Sequence, residues 1–280
     1  MSFPWDDEPQ AHPPDAANES ASQSPSAEEL DAQAKRAAEA VEESTGGWPG
    51  ITVEDLPEGY VYYGTHHADV VLRDAYPDHW RDLVETLEAF RIDVAEIRAA
   101  GGGETTIVQK LDRGFHDRGW RKVSMKISTR ISLKVKGGAT AQHEREVRTH
   151  EIDMFKIGPN GFPGIGQETE WHNKTEFFDR DLNNFDQLHA EGALSVGLLI
   201  TRSRRLLHFL SHHPDLEDSV RGKYGSSTTH WGHLMTRMDA GRGGGCPLLL
   251  IGIEPERIDG LDLEAELLPG RPWEPRGGRR

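Results

Sequence analysis

Glu168-Thr169-Glu170 sets two carboxylates one residue apart, and Glu151-Ile152-Asp153 supplies further acids a short way upstream. On a β-strand the side chains alternate faces, so Glu168 and Glu170 point the same way. Two like charges side by side cost free energy unless something positive lies near them. A hard divalent cation with oxygen ligands meets that need, and Asp153 adds a third carboxylate if its run pairs with the Glu168 run. The chemistry such a set suits is metal-assisted hydrolysis: activating a water, holding it in line with a phosphodiester, and neutralising the charge that builds on phosphate oxygens. Acid pairs at this spacing also occur on solvated strand faces. Trp171 and the apolar residues around the acids argue instead for carboxylates near the core.

The elements that must position these acids are legible from periodicity. Val147 to Ile157 and Gly166 to Trp171 read as strands on either side of the glycine-rich loop Gly158 to Gly164. A helix is expected from Asp179 through Leu182, Phe185 and Leu188, stopped at Gly192, and Leu194 to Ile200 is a near-continuous apolar run, the mark of a strand covered on both faces. Strand, helix and buried strand in that order predict a crossover unit in an α/β sheet. A second unit repeats the theme, with a helix near Thr229 to Met238 and a buried strand Pro247 to Ile253. Earlier in the chain, Pro77 and the apolar face of Leu83, Val84, Leu87 and Phe90 predict a helix over about 78 to 91. Another starts near Thr105, with Ile107, Val108, Leu111 and Phe115 inward, and ends before Gly119.

The 280 residues suffice for one good core. Three segments are expected: an acidic tail over 1–46, a folded domain over 47–265, and a basic tail over 266–280. Pro, Ser, Ala, Asp and Gln dominate the first 25 residues, a composition too poor in aliphatic side chains to offset ordering, and a capping-box pattern at Ser26 and Glu29 starts a short helix with Leu30, Ala34, Ala37 and Val41 on one stripe. The net charge of −15 looks unsuited to a nucleic-acid partner, but eleven acids against Lys35 and Arg36 place −9 of it in residues 1–46, leaving −6 for the rest. Phosphate contact depends on a locally basic face, so the overall balance decides little. Cys246 is the lone cysteine, which excludes an intramolecular disulfide and a thiolate zinc cluster and suits a reducing cytoplasm. No run of 18 apolar residues exists, so no membrane association is expected.

From Lys122 to Lys136 the odd positions Val123, Met125, Ile127, Ile131, Leu133 and Val135 are apolar, while the even ones carry Lys122, Lys126, Arg130, Lys134, Lys136 and serines. This reads as a half-buried strand or bent hairpin whose other face is either solvated or set against phosphate, with Lys126 and Arg130 as candidate DNA contacts. Asn173 and Lys174 beside the acids, and Ser227, Thr228, Thr229 and His230 opening the later helix, have the hydrogen-bonding groups for base edges. The Ser/Thr cluster is equally suited to capping that helix. Glycine loops at Gly158 to Gly166 and Gly241 to Gly245 lack the context of phosphate or dinucleotide loops, and His208, His212 and His213 lack the partners for zinc.

The runs Glu151-Ile152-Asp153, Gly164 to Lys174, Phe177 to Leu182 and Val196 to Arg202, with Tyr224 to Gly232 and Gly243 to Pro247, resemble type II restriction endonucleases of the BglII/BstYI group. The resemblance extends from about Tyr60 to Ile253. It implies a PD-(D/E)xK restriction-endonuclease-like α/β/α core with a central mixed sheet, acting as a homodimer that uses Mg2+ to cut each strand of a palindrome built on a central GATC. By position it makes Asp153 and Glu168 metal ligands, the Thr169 carbonyl a further ligand, and Glu170 the occupant of the motif's lysine place, where this group tolerates Gln or Glu. A cognate DNA methyltransferase encoded nearby is a further implication. Two other readings remain open at this point: a DNA-repair or structure-specific nuclease on the same core, and a catalytically inert DNA-binding regulator.

Overall fold

A computed structural model describes residues 56–99, 105–138 and 140–268. The expected acidic tail with its short helix, and the basic C-terminal segment beyond Leu268, lie outside the described residues. Six strands form the central sheet in the order β1 (Tyr60–Gly64), β9 (Leu248–Ile253), β8 (Leu194–Arg202), β7 (Gly161–Glu170), β6 (Ile152–Gly158) and β3 (Arg121–Val123). β7, β8 and β9 are parallel, whereas β1, β6 and β3 run antiparallel to their neighbours. The sheet is therefore mixed, as expected.

Helices cover both faces. On one side lie α1 (Ala68–Ala75), α2 (Pro77–Ala89) and α4 (Thr106–His116), whose Leu72, Leu83, Leu87, Ile107, Leu111 and Phe115 pack with Val196, Leu198 and Ile200 of β8. On the other lie α5 (Glu176–Ala190) and α8 (Trp231–Asp239), whose Phe178, Leu182, Phe185, Leu234 and Met235 pack with Leu199 and Leu250. Between α2 and α4 sit the short β2 (Ile92–Asp93) and α3 (Val94–Arg98), and β2 pairs with β10 (Ile258–Asp259). Two further helices, α6 (Arg204–His212) and α7 (Asp218–Lys223), lead from β8 toward α8. This alternation of β8 side chains between two cores is why its sequence reads as continuously apolar. The strand is thin where α5 crosses it: a Cβ on Gly197 would lie 2.6 Å from Phe185 Cδ2 and 2.9 Å from Leu248 Cδ2. Gly197→Ala is expected to cost about 1–3 kcal/mol by overpacking, read as a lower urea midpoint with an unchanged m-value.

The run from Lys122 to Lys136 departs from expectation. Only Arg121–Val123 joins the main sheet; the chain then turns, Met125 N–H donating to Thr149 Oγ1, and β4 (Lys126–Lys134) pairs with β5 (Thr140–Arg148) as a separate two-stranded ribbon. The apolar side is not buried at the tip, where Ile131 and Leu133 are 59% and 60% exposed. Period-two alternation marks a strand but says nothing of whether a second layer covers it. Likewise the strand expected over Val147 to Ile157 divides between β5 and β6, and β7 absorbs the latter half of the glycine-rich loop. Among the described residues no helix is long and apolar enough to cross a membrane.

Candidate active site

β7 delivers the two glutamates. From Gly164 to Glu170 every residue is buried, and the even positions face α5, because a Cβ on Gly166 would meet Leu194 and Phe185 at 3.0 and 3.3 Å. Glu168 and Glu170 therefore share a face, as the strand argument requires. Thr169 looks the other way, its hydroxyl accepting from Gln167 Nε2 at 2.6 Å. β6 runs antiparallel with Met154 opposite Gln167, so the next position brings Asp153 to Glu168, close enough for Asp153 to raise the proton affinity of the Glu168 carboxyl. Lys122, on β3, lies 3.5 Å from Asp153 and 3.2 Å from Glu151.

A fourth acid completes the group. Asp181, fully buried on α5, contacts the Glu170 carboxyl and takes a 2.7 Å bond from Arg180 Nε. Sequence reasoning passed over it, although a signal exists: Asp181 falls on the stripe formed by Phe178, Leu182 and Phe185, and an acid on the apolar face of a helix needs a partner. Arg180 was missed too. Its guanidinium stacks on Phe177 at 4.4 Å and reaches Glu170 Oε1 at 3.3 Å.

The electrostatics follow from burying three carboxyls, Glu168, Glu170 and Asp181, beside the half-buried Asp153. Burial pushes Glu168 well above the ordinary range, with Asp181 and Asp153 adding to the effect. Burial, then Asp181, pushes Glu170 up to about 9, against donation from Asn173. Asp181 is raised by burial against the pull of Arg180. Glu168 Oε1 and Asp181 Oδ2 have no hydrogen-bond donor. Orphaned, buried, hard oxygen atoms are what a small divalent cation seeks.

Among the described residues, no three His, Cys, Asp or Glu side chains converge as a ready-made metal cage; the carboxyls lie in pairs, Asp153 with Glu168 and Glu170 with Asp181. The donor set still fits Mg2+, which keeps several waters and is commonly held by one or two carboxylates plus substrate phosphate. A cavity of about 560 Å³ opens over the group, lined by Lys122, Asp153, Glu170, Asn173, Phe177 and Arg180 among others.

The remaining candidate residues fall into three settings. Asn173 and Lys174 are exposed just past β7, and Asn173 Nδ2 donates to Glu170 Oε2 at 2.6 Å. A bridge between Lys174 and Thr228 ties this turn to the segment before α8, where Ser227 is exposed and Thr228 half-buried. Thr229 and His230 are buried: Thr229 Oγ1 accepts from the Asn173 backbone N–H, and His230 Nδ1 caps α8 by accepting from Gly232 N–H. Lys126 and Arg130 lie out on the ribbon, where Glu146 and Glu144 of β5 pair with them at 2.8 and 2.6 Å. The face that β4 alone shows as free of acids gains two from its partner strand.

A model of the family described as Restriction endonuclease BglII/BglIII matches residues 60–253, from the first residue of β1 to the last of β9. The chain belongs to that family. No curated protein matches the chain significantly. Membership makes it a type II site-specific deoxyribonuclease, and restriction endonucleases act on double-stranded DNA. The matched span holds the whole six-stranded sheet and all four acids, so the cluster belongs to the endonuclease fold itself rather than to an appended segment.

Proposed function

We propose that this restriction endonuclease makes Mg2+-dependent double-strand cuts at a short palindrome with a central GATC, working as a homodimer in which each protomer cuts one strand. The observation that carries the reading is the approach of Asp153 to Glu168 across the β6–β7 pair, with Glu168 Oε1 buried without a donor. Asp153 and Glu168 would hold the metal, with the Thr169 carbonyl a further ligand. When bound, Mg2+ supplies charge neutralisation at the phosphate and a more acidic water.

The chain's own groups do the rest. Glu170 is gripped by Asn173 and Arg180, which hold its carboxyl at the cavity, where it is placed to orient the attacking water or, once a bound cation has drawn off its proton, to deprotonate it. Arg180 and Lys122 bring positive charge to the phosphate side of the cavity. Asn173, Lys174, Ser227 and Thr228 lie on one bridged surface beside it and supply groups for base edges. Thr229 and His230 support that surface from below, and Lys126 and Arg130 on the ribbon would meet backbone phosphate by exchanging their glutamate partners for it. A cytoplasmic location and a cognate methyltransferase encoded nearby complete the reading.

Sequencing the ends of fragments from a digest tests the specificity. Every end should fall at the same place in one palindrome containing GATC, and sedimentation of the enzyme should give twice the 31.3 kDa chain mass. Ends scattered over unrelated sequences, or a monomer on DNA, would contradict it.

A further inference from the structure

We propose that Thr229 is a positioning residue for cleavage, acting on Glu170 through Asn173. The proposal rests on the assignment of Glu170 to the catalytic group above. Thr229 cannot reach a base edge, since it is fully buried. Its hydroxyl accepts the Asn173 backbone N–H at 3.1 Å, and its own N–H donates to the Asn173 carbonyl at 3.0 Å. Both backbone groups of Asn173 are thereby fixed, and with them the side chain that donates at 2.6 Å to Glu170 Oε2. From the other side Thr201 Oγ1 holds the Glu170 carbonyl at 2.7 Å, so Glu170 is fastened at its main chain and at its carboxylate by different elements.

Thr229 is itself pinned. Arg202, buried at the end of β8, donates through Nη2 to Thr228 Oγ1 at 2.6 Å and to the Thr229 carbonyl at 2.8 Å. Its guanidinium also lies 5.5 Å from the Tyr224 ring and 5.9 Å from the Trp171 ring. The order is thus Arg202 to Thr229 to Asn173 to Glu170. Thr228, the neighbour that is half-exposed and bridged to Lys174, belongs to the same hydrogen-bonded unit. A shift of the surface that would face DNA is therefore a shift of Glu170. Misplacing a reacting group by about 1 Å can cost ~10²-fold in rate.

The test uses the full-length enzyme and a synthetic duplex carrying its mapped site. Thr229→Val keeps the shape and removes the acceptor; kcat should fall about 10–100-fold, the range for lost outer partners of a catalytic group, with KM within about twofold. Thr229→Ser, which keeps the hydroxyl, should recover most of the rate. The penalties of Thr229→Val and Asn173→Ala should fail to add in the double variant, because both break one link. A role confined to stability would lower Tm in Thr229→Val without this non-additivity. Wild-type kcat in Thr229→Val, or penalties that add, would overturn the proposal. Asn173 is exposed, so if Thr229→Val does not fold, Asn173→Ala alone decides: full turnover refutes the link. Glu170→Ala is run alongside on the same duplex. If that variant still cuts, the active-site assignment fails; if it is dead while Thr229→Val is fully active, only the role of Thr229 fails.

Discussion

Asp153→Asn and Glu168→Gln should each abolish cleavage while leaving sequence-specific DNA binding in place. Each change keeps side-chain volume and removes one formal charge from a pair whose carboxyls lie close across β6 and β7. Losing an outer partner of a metal ligand typically costs ~10–100-fold, and loss of a ligand itself should exceed that, to on the order of 10³-fold or more. The variants should bind their site at least as tightly as the parent, since a negative charge facing phosphate has gone. The fold should tolerate the change well: Glu168 is nearly fully buried beside Asp153 and Asp181, so neutralising it relieves repulsion. Mobility shift and nicking assays on one duplex separate the effects. Retained cutting by either variant removes its side chain from the metal-binding pair.

The second large effect concerns stability, pH and Mg2+ together. Glu168, Glu170 and Asp181 all have raised proton affinity in the folded protein, with burial the leading cause. A carboxyl raised on folding means that the native state binds more protons than the unfolded state between the two pKa values, so stability falls as pH rises through that window. For Glu170 the window runs from its ordinary value of 4.5 to about 9. In chelator, Tm should therefore drop as pH rises from about 5 toward 9. A change of ~2 kcal/mol corresponds to roughly 4–8 °C in a domain of this size. Added Mg2+ should restore more Tm at high pH than at low pH, because cation and proton compete for the same oxygens. Glu168→Gln should flatten both trends. A metal-free Tm that is flat or rising across this range contradicts the buried-acid assignment.

How far the residues alone foretold the protein depends on the kind of information each feature needs. Helices α2, α4, α5 and α8 and strands β8 and β9 follow from local periodicity and stop signals, within a few residues of where they are found, while β7 starts five residues earlier than its expected Gly166. Side-chain alternation placed Glu168 and Glu170 on one face, and a conditional pairing placed Asp153 beside them. Asp181 and Arg180 escaped because their role depends on how α5 lies across the sheet, which no strand pattern contains. The ribbon escaped for a related reason. Whether Ile131 and Leu133 are covered, and whether Lys126 and Arg130 are neutralised, depends on the strand lying opposite and not on β4. Thr229 shows the converse: a hydroxyl run near a helix start reads equally as cap or contact, and only burial separates Thr229 from its exposed neighbour Ser227. Boundaries failed at Lys122 to Lys136 because a turn between two strands of like period leaves no break in the alternation.

The proposed Mg2+ chemistry of Asp153 and Glu168 is tested most directly by one digest. Unmethylated plasmid is incubated with purified enzyme in Mg2+ and, in parallel, in excess chelator. A set of discrete fragments is expected in Mg2+ and intact plasmid in chelator. A smear, or cutting confined to branched DNA, would place the chain with repair or structure-specific nucleases. Retarded but uncut plasmid in Mg2+, or the same fragments in chelator, would contradict the account outright.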